Sequence, residues 1–335
     1  MSILYLNGWQ VSARLDDQRI SLSRLDTGEN RQVALFNLDQ VVCIGHPKVS
    51  MPLLHELMKC AIPVVFLTSK GHWLNTLNPP CGSNAVRRLR QYDCAHHPDF
   101  ALAIAKALID AKIHNMRRML QRWAATRRLT SVPEQVETCR FLQDCRRKAG
   151  RTKSMDELRG YEGTASARYF ELLDSFLRPD MPFVFRSRRP PRNPVNALLS
   201  WTYAILSSEI DTALRCAGLD PALGFLHEIS LGRPSLVLDM LEPFRSPLCD
   251  ALVLKLVNHR MLTPEHFEHH DDGGVYLKND AKHIFFKEYE LAMNRSFQQP
   301  KQCTPTTFRQ CLHEQAGRLC KAIEQHRGFT PFFNA

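Results

Sequence analysis

Four side chains between residues 162 and 242 combine chemistry with unusual settings. Glu162 is followed by the small residues Gly163, Ala165, Ser166 and Ala167. It lies beside an apolar stripe of Leu158, Tyr161, Ala165, Leu172 and Phe176. The sequence Ser154-Met155-Asp156-Glu157 has the form of a capping box, so a helix is expected to begin there. A carboxylate among small side chains leaves room for a metal ion or another chain; an ordinary helix-surface glutamate fits the same residues. His227 ends Gly224-Phe225-Leu226-His227, after the turn Gly218-Leu219-Asp220-Pro221. Asp239 and Glu242 follow in Ser235-Leu236-Val237-Leu238-Asp239-Met240-Leu241-Glu242. With Ser235 as a helix cap, the two acids stand at i and i+3 on one face. Among leucine, valine and methionine they repel each other unless a cation intervenes. Arg233 and Arg245 are two candidates for that cation, and a metal ion is another. Pro243 disfavours regular helix at Glu242, so the helix is expected to kink or stop there. An imidazole with two carboxylates suits Mg²⁺ or Mn²⁺, water filling the other octahedral positions. Spacing alone does not bring Glu162 to His227 and Glu242.

The elements that must position these groups fall into two kinds. Residues 1–84 read as β-rich. Ile3–Leu6, Arg19–Leu22, Gln32–Phe36 and Gln40–Ile44 are short β-prone runs, separated by turns such as Asn7-Gly8 and Asp26-Thr27-Gly28. Ser50 can cap a short helix whose stripe is Leu53, Leu54, Leu57 and Met58, and Pro63–Leu67 reads as a buried strand. These strands look too few and too exposed to enclose a core alone, which predicts a homodimer built through this region. The breaker Asn78-Pro79-Pro80-Cys81-Gly82-Ser83-Asn84 marks the domain boundary. Residues 85–335 read as helical. Leu102, Ile109, Ile113, Met116, Leu120 and Trp123 share one face of a long helix that Asp99 can cap. Lys112, Arg117, Arg118, Arg122, Arg127 and Arg128 are assigned to its exposed face. The fold class is therefore α+β, a β-rich N-terminal domain followed by a larger all-α domain.

The 335 residues carry a formal charge of +10, which favours a polyanionic partner. Arginines cluster again at Arg146-Arg147-Lys148 and from Arg186 to Arg192. Guanidinium groups grip phosphate bidentately, so the clusters raise the case for nucleic acid over a merely solvated surface. The later cations Lys301, Arg309, Arg318, Lys321 and Arg327 read mainly as solvated charge. No two of the eleven cysteines are spaced C-x-x-C, which argues against a zinc knuckle. The doublets His96-His97 and His269-His270 read as loop residues. No apolar run reaches the roughly 20 residues of a membrane helix. The first residues lack the basic start and cleavage site of a secretory signal, which points to the cytoplasm.

Several motifs in order make a more specific statement. Arg188-Arg189-Pro190-Pro191-Arg192-Asn193-Pro194-Val195-Asn196-Ala197-Leu198-Leu199-Ser200 leads into Gly218–Pro221, Gly224–His227 and Gly232-Arg233-Pro234-Ser235-Leu236. The series ends at Leu238-Asp239-Met240-Leu241-Glu242-Pro243-Phe244-Arg245. With Glu162-Gly163, Ala165, Tyr169 and Phe170, this resembles the CRISPR-associated spacer-acquisition integrases, the first-numbered Cas family. The likeness runs from the first strand to about Phe297. It departs at Asn193, where the family often has aspartate. The resemblance implies a metal-dependent DNA endonuclease and integrase that inserts foreign DNA into a repeat array. It implies Glu162, His227 and Glu242 as catalytic metal ligands, with Asp239 close by or alternating, and Mg²⁺ or Mn²⁺ as the ion. Double-stranded DNA is the implied substrate, with Arg168, Arg188, Arg189, Arg192, Arg233 and Arg245 as candidates to contact it. A homodimer and a small ferredoxin-like Cas partner bridging two dimers are also implied. The residues leave open a non-catalytic DNA-binding scaffold and a repair or transposon nuclease-integrase of the same fold.

Overall fold

The computed structural model describes residues 2–78, 85–126, 133–298 and 304–334. The chain divides into two compact units, Met1–Ser83 and Asn84–Ala335. Of the breaker read at 78–84, all but Asn78 lies outside the described residues.

The first unit is built from β1 (Ile3–Asn7), β2 (Val11–Asp16), β3 (Arg19–Arg24), β4 (Asn30–Ala34), β5 (Gln40–Ile44), β6 (Lys48–Val49), α1 (Met51–Lys59), β7 (Val64–Leu67) and β8 (Trp73–Leu77). They form two four-stranded sheets, ordered β1-β5-β7-β8 and β4-β3-β2-β6. In the first, β1, β5 and β7 run parallel and β8 returns antiparallel. In the second, β2, β3 and β4 form an antiparallel meander and β6 joins β2 parallel. Gly8, at φ +86°, makes the turn between β1 and β2, a conformation that costs glycine little. Ser50 caps α1 by accepting from the Leu53 amide. Leu6, Ala13, Ile20, Leu35, Val41, Leu53, Leu57 and Val64 meet in one buried cluster. The expectation that this region cannot enclose a core is thereby corrected. Strands β2 and β8, hidden in the sequence by their polar residues, complete the second sheet and the edge of the first. Trp9, Phe36 and Met51 nevertheless remain largely exposed.

The second unit contains α2 (Ala85–His96), α3 (Pro98–Thr126), α4 (Pro133–Arg151), α5 (Met155–Leu173), α6 (Pro194–Cys216), α7 (Ser235–Leu241) and α8 (Ala251–Asn258). It continues through a hairpin of β9 (Phe267–His269) and β10 (Val275–Leu277), then α9 (Lys282–Asn294), a pair of β11 (Ser296–Phe297) and β12 (Thr306–Thr307), and α10 (Phe308–Gln325). The two short ladders are additions to a unit read as wholly helical. Asn193 caps α6 by accepting from the Asn196 amide at 2.8 Å, so asparagine performs the cap without a charge. Ser154 caps α5 through the Glu157 amide, but the Glu157 carboxylate accepts from Thr152 Oγ1 instead of closing a reciprocal box.

Helix α3 is the axis of this unit. It packs against α4 and α5 and also against the segment from Glu242 to Asp250. Ile104, Ala105, Leu108, Ile109, Ala111, Ile113 and Met116 are all buried, which covers more than one face. A helix covered on most sides has no room for a fully exposed stripe. Lys112, assigned to the exposed face from sequence, is only 5% exposed. Arg127 and Arg128 lie outside the described residues, as does Lys301. Arg309 is a second correction. It is buried, its guanidinium 2.9 Å from Glu209 and 2.7 Å from Glu290.

Candidate active site

The loop carrying His227 is held by one carboxylate. Asp239 is fully buried on α7. Its Oδ2 accepts from the amides of Phe225 at 2.6 Å and Leu226 at 3.0 Å. Its Oδ1 accepts from the His227 amide at 2.9 Å and lies 2.7 Å from His227 Nδ1. An ionised carboxylate only accepts, which assigns a ring proton to Nδ1, so that the neutral form of the ring carries its lone pair on Nε2. Gly224 is required for this approach, because a Cβ there would stand 2.8 Å from both Asp239 Oδ2 and the Ser235 Cβ. Ser235 does not cap α7; Pro234 occupies that position and the Ser235 hydroxyl donates to the Glu228 carbonyl at 2.7 Å. Arg159, one turn before Glu162, donates twice to the Leu226 carbonyl, at 3.1 and 2.9 Å, and pairs with Glu228. It therefore ties α5 to the histidine loop.

Helix α7 stops at Leu241, and Glu242 opens a 3₁₀ turn through Phe244. Glu242 itself keeps right-handed helical torsions, at φ −55° and ψ −45°, so the stop is a change of hydrogen-bond pattern, which Pro243 causes by having no N–H to continue the i−4 ladder. A π-helical segment, Arg245–Asp250, follows. The Glu242 side chain is 5% exposed and the Glu162 side chain 27%. The Lys112 ammonium bridges them: it pairs with Glu162 Oε1 and stands 2.6 Å from Glu242 Oε2. Arg245 Nε is 3.1 Å from the same Glu242 oxygen. Arg245 Nε makes no aligned hydrogen bond among the described residues, so charge rather than directionality holds it to Glu242. His227 Nε2 lies 3.9 Å from Glu242 Oε1.

The electrostatics follow from these contacts. Burial by itself would raise the Glu242 carboxyl, but Arg245 and Lys112 outweigh it and hold the group down at about 2. Glu162 is likewise lowered: burial works against ionisation, and Lys112 overcomes it. Burial disfavours the charged form of Lys112, yet Glu242 and Glu162 together raise it above the ordinary lysine value. Behind Arg245, Tyr203 presents its ring 4.5 Å from the guanidinium. Tyr203 and Tyr169 donate to Asp250 at 2.5 and 2.9 Å. Burial pushes Asp250 up to about 6 despite those bonds.

Glu162, His227 and Glu242 line one cleft of 260 Å³ with Arg159, Leu226, Glu228 and Arg233. The donor set fits a hard divalent cation: two carboxylates that stay ionised, and an imidazole nitrogen aimed by the acid behind it. The three donors are not drawn into a cage. Among the described residues, no three His, Cys, Asp or Glu groups are arranged to hold a metal. The reason is visible, since the Lys112 ammonium stands between the two glutamates. A second cleft of 520 Å³ shares Glu162 and extends past Ser166 and Phe170 to Phe185, Arg186 and Arg188.

The arginines separate into groups. Arg188, Arg189 and Arg192 are exposed, and Arg233 is half-buried at the cleft. Arg168 is engaged by Glu171 at 3.2 Å and Glu137 at 3.7 Å. Arg245, expected from sequence at the DNA surface, is a correction, because its side chain is buried between Glu242 and Tyr203. Sequence reasoning missed Lys112, Arg159 and Asn115. Lys112 and Asn115 carried a signal: Ala105, Leu108, Lys112, Asn115 and Met119 recur at steps of three and four, the spacing of one buried stripe. Asn115 donates to the carbonyls of Pro243 at 2.7 Å and Phe332 at 3.1 Å. Phe332 in turn stacks on Phe244 with ring centroids 4.9 Å apart. The segment near residue 332 thus braces the turn that carries Glu242.

Comparison with known proteins agrees with this architecture. Residues 4–291 match the model of the family described as CRISPR associated protein Cas1. The CRISPR-associated endonuclease Cas1 1 of Chlorobaculum tepidum is 34% identical over 316 residues, covering 93% of this chain and 92% of that protein. A solved Cas6-RT-Cas1--Cas2 complex is 25% identical with a TM-score of 0.82, over 100% of this chain and 36% of that one. A casposase bound to integration product shares the fold at a TM-score of 0.85 and 23% identity, over 99% of this chain and 93% of that one. The chain belongs to the Cas1 family.

Proposed function

We propose that this protein is a metal-dependent DNA endonuclease and integrase that inserts DNA fragments into a CRISPR repeat array. The observation that carries the reading is the shared cleft of Glu162, His227 and Glu242 in a chain of the Cas1 family. The 3′-hydroxyl of an incoming strand attacks a phosphodiester of the array and displaces the 3′-oxygen of the cut strand. Water in place of the hydroxyl gives cleavage. A bound Mg²⁺ or Mn²⁺ supplies polarisation of the phosphoryl oxygen and a lowered pKa for the attacking group.

The chain's own residues do the rest. Glu162, Glu242 and His227 Nε2 are the ligands, and Asp239 fixes the histidine in the tautomer that can ligate. Arg159 keeps the histidine loop against α5. Exposed Arg188, Arg189 and Arg192, with Arg233 at the cleft, hold phosphates and supply affinity with little sequence information. Met1–Ser83 serves as the dimerisation unit, supported by the exposed Trp9, Phe36 and Met51. A small ferredoxin-like Cas2 partner bridges two dimers, in keeping with the solved assembly whose description includes Cas2. No described helix is long and apolar enough to cross a membrane, which suits work on cytoplasmic DNA.

The test is a strand-transfer assay on His227→Ala and Glu242→Ala beside a DNA-binding titration. Transfer is expected to be lost while affinity for duplex DNA, titrated without divalent ion, stays nearly intact. Wild-type transfer by His227→Ala would remove the metal assignment. Light scattering at micromolar concentration is expected to give a dimer, and a monomer would contradict the role of the first unit.

A further inference from the structure

The charges at the candidate metal site already balance. Glu162 and Glu242 bring two negative charges, and Lys112 and Arg245 bring two positive ones within contact distance. Arg245 is tied down from behind by the Tyr203 ring. Lys112 contacts both glutamates, whereas Arg245 contacts Glu242 alone. The neighbours of Lys112 on the same stripe of α3, Ala105 and Leu108, are apolar and fully buried, so a lysine there is costly unless the carboxylates need it. A divalent cation needs the same oxygens. Ammonium and metal ion therefore compete for one set of lone pairs. Lysine is a point charge on a flexible stem, unlike arginine's rigid fork, and is the residue that can give way.

We propose that Lys112 is the resident cation of this site: it holds Glu162 and Glu242 apart and ionised until a divalent ion displaces its ammonium, which is then free to pair with an anion in the adjoining cleft. The proposal rests on the metal-site reading above and adds an order of events. Replacing a balanced site by one with two excess positive charges disfavours metal in the DNA-free protein. A phosphodiester restores the balance. Metal and DNA thus bind with positive coupling, and the coupling is reciprocal.

The experiment is calorimetric titration of Mn²⁺ into the full chain without DNA, followed in parallel by the electron paramagnetic resonance signal of the ion. Lys112→Met is expected to bind Mn²⁺ at least ~10-fold tighter than wild type. Its metal-free form should melt lower and recover when Mn²⁺ is added. Lys112→Arg, which keeps the charge but grips both carboxylates with a fork, is expected to bind Mn²⁺ at least ~10-fold more weakly. Circular dichroism checks that both variants fold, and either variant alone decides the sign if the other fails to fold. Unchanged or weaker binding by Lys112→Met, or unchanged binding by Lys112→Arg, overturns the proposal while leaving the metal site standing. Glu242→Gln separates the two readings: if it binds Mn²⁺ as wild type does, the ion sits elsewhere and both fall.

Discussion

Asp239→Asn is the smallest change that should dismantle the histidine loop. The side chain keeps its shape but exchanges one acceptor oxygen for an NH₂ donor. Each carboxylate oxygen of Asp239 faces two nitrogen groups: Phe225 and Leu226 amides on one, the His227 amide and Nδ1 on the other. Turned one way, the NH₂ meets the Phe225 and Leu226 amides donor against donor; turned the other, it meets the His227 amide and abolishes the charge-assisted bond from Nδ1, so two bonds to the carboxylate are lost either way. Hydrogen bonds to a charged group contribute ~1.5–3 kcal/mol each, so the loss comes to ~3–6 kcal/mol. In a domain of this size each kcal/mol moves the melting temperature by roughly 2–4 °C, and a drop of about 10 °C is expected. The chemistry suffers separately. If the NH₂ faces Nδ1, the ring proton moves to Nε2 and the metal-directed lone pair is gone. If it faces the other way, two loop amides are orphaned and the ring loses its aim. Substitutions of the acid behind a ligating histidine typically lower metal affinity by about 10–100-fold. Differential scanning calorimetry reads the first effect, and the Mn²⁺ midpoint of DNA cleavage reads the second. A variant with wild-type melting and a wild-type midpoint would show that Asp239 neither holds the loop nor directs the ring.

Three further expectations rest on other parts of the structure. Replacing Arg188 and Arg189 by alanine should weaken binding to all duplex sequences alike and lower the log–log salt slope by about 0.9 for each phosphate no longer neutralised; an unchanged slope in a salt titration would make the loop structural. Arg309→Met leaves Glu209 buried without its cation and takes the guanidinium away from Glu290, and should cost ~3–5 kcal/mol in urea denaturation; a loss under ~1 kcal/mol would mean that the buried charges do not depend on each other. Asp250 titrates at about 6 in the fold because burial raises it from the ordinary 3.8. A raised acid favours the folded state at low pH, so its contribution is fully present below about 4 and lost as pH rises through 6, an effect of ~3 kcal/mol. Asp250→Asn should flatten that part of the stability–pH curve, and a variant curve parallel to wild type between pH 4 and 7 would refute the assignment.

Much of this was local and therefore legible in the residues. Alternating short runs with Asn7-Gly8 and Asp26-Thr27-Gly28 turns marked the strands, because turn chemistry and side-chain period are properties of a few neighbouring residues. Pro243 announced the end of α7 for the same reason. The ordered motifs through Arg245 placed the chain in its family and named Glu162, His227 and Glu242. What the residues could not settle was which helix faces are covered. Lys112 reads as surface because charge usually seeks water, yet α3 is wrapped on several sides and the lysine finds two carboxylates instead. Arg245 and Arg309 went inward for the same reason, since a buried cation depends on partners whose placement the local sequence does not reveal. The tertiary fold alone decided that Asp239 holds the backbone of residues 225–227 and that Asn115 joins the Glu242 turn to Phe332. Those contacts span 12 to 217 positions of chain, and no local propensity encodes a hydrogen bond whose two ends meet only after the helices have packed.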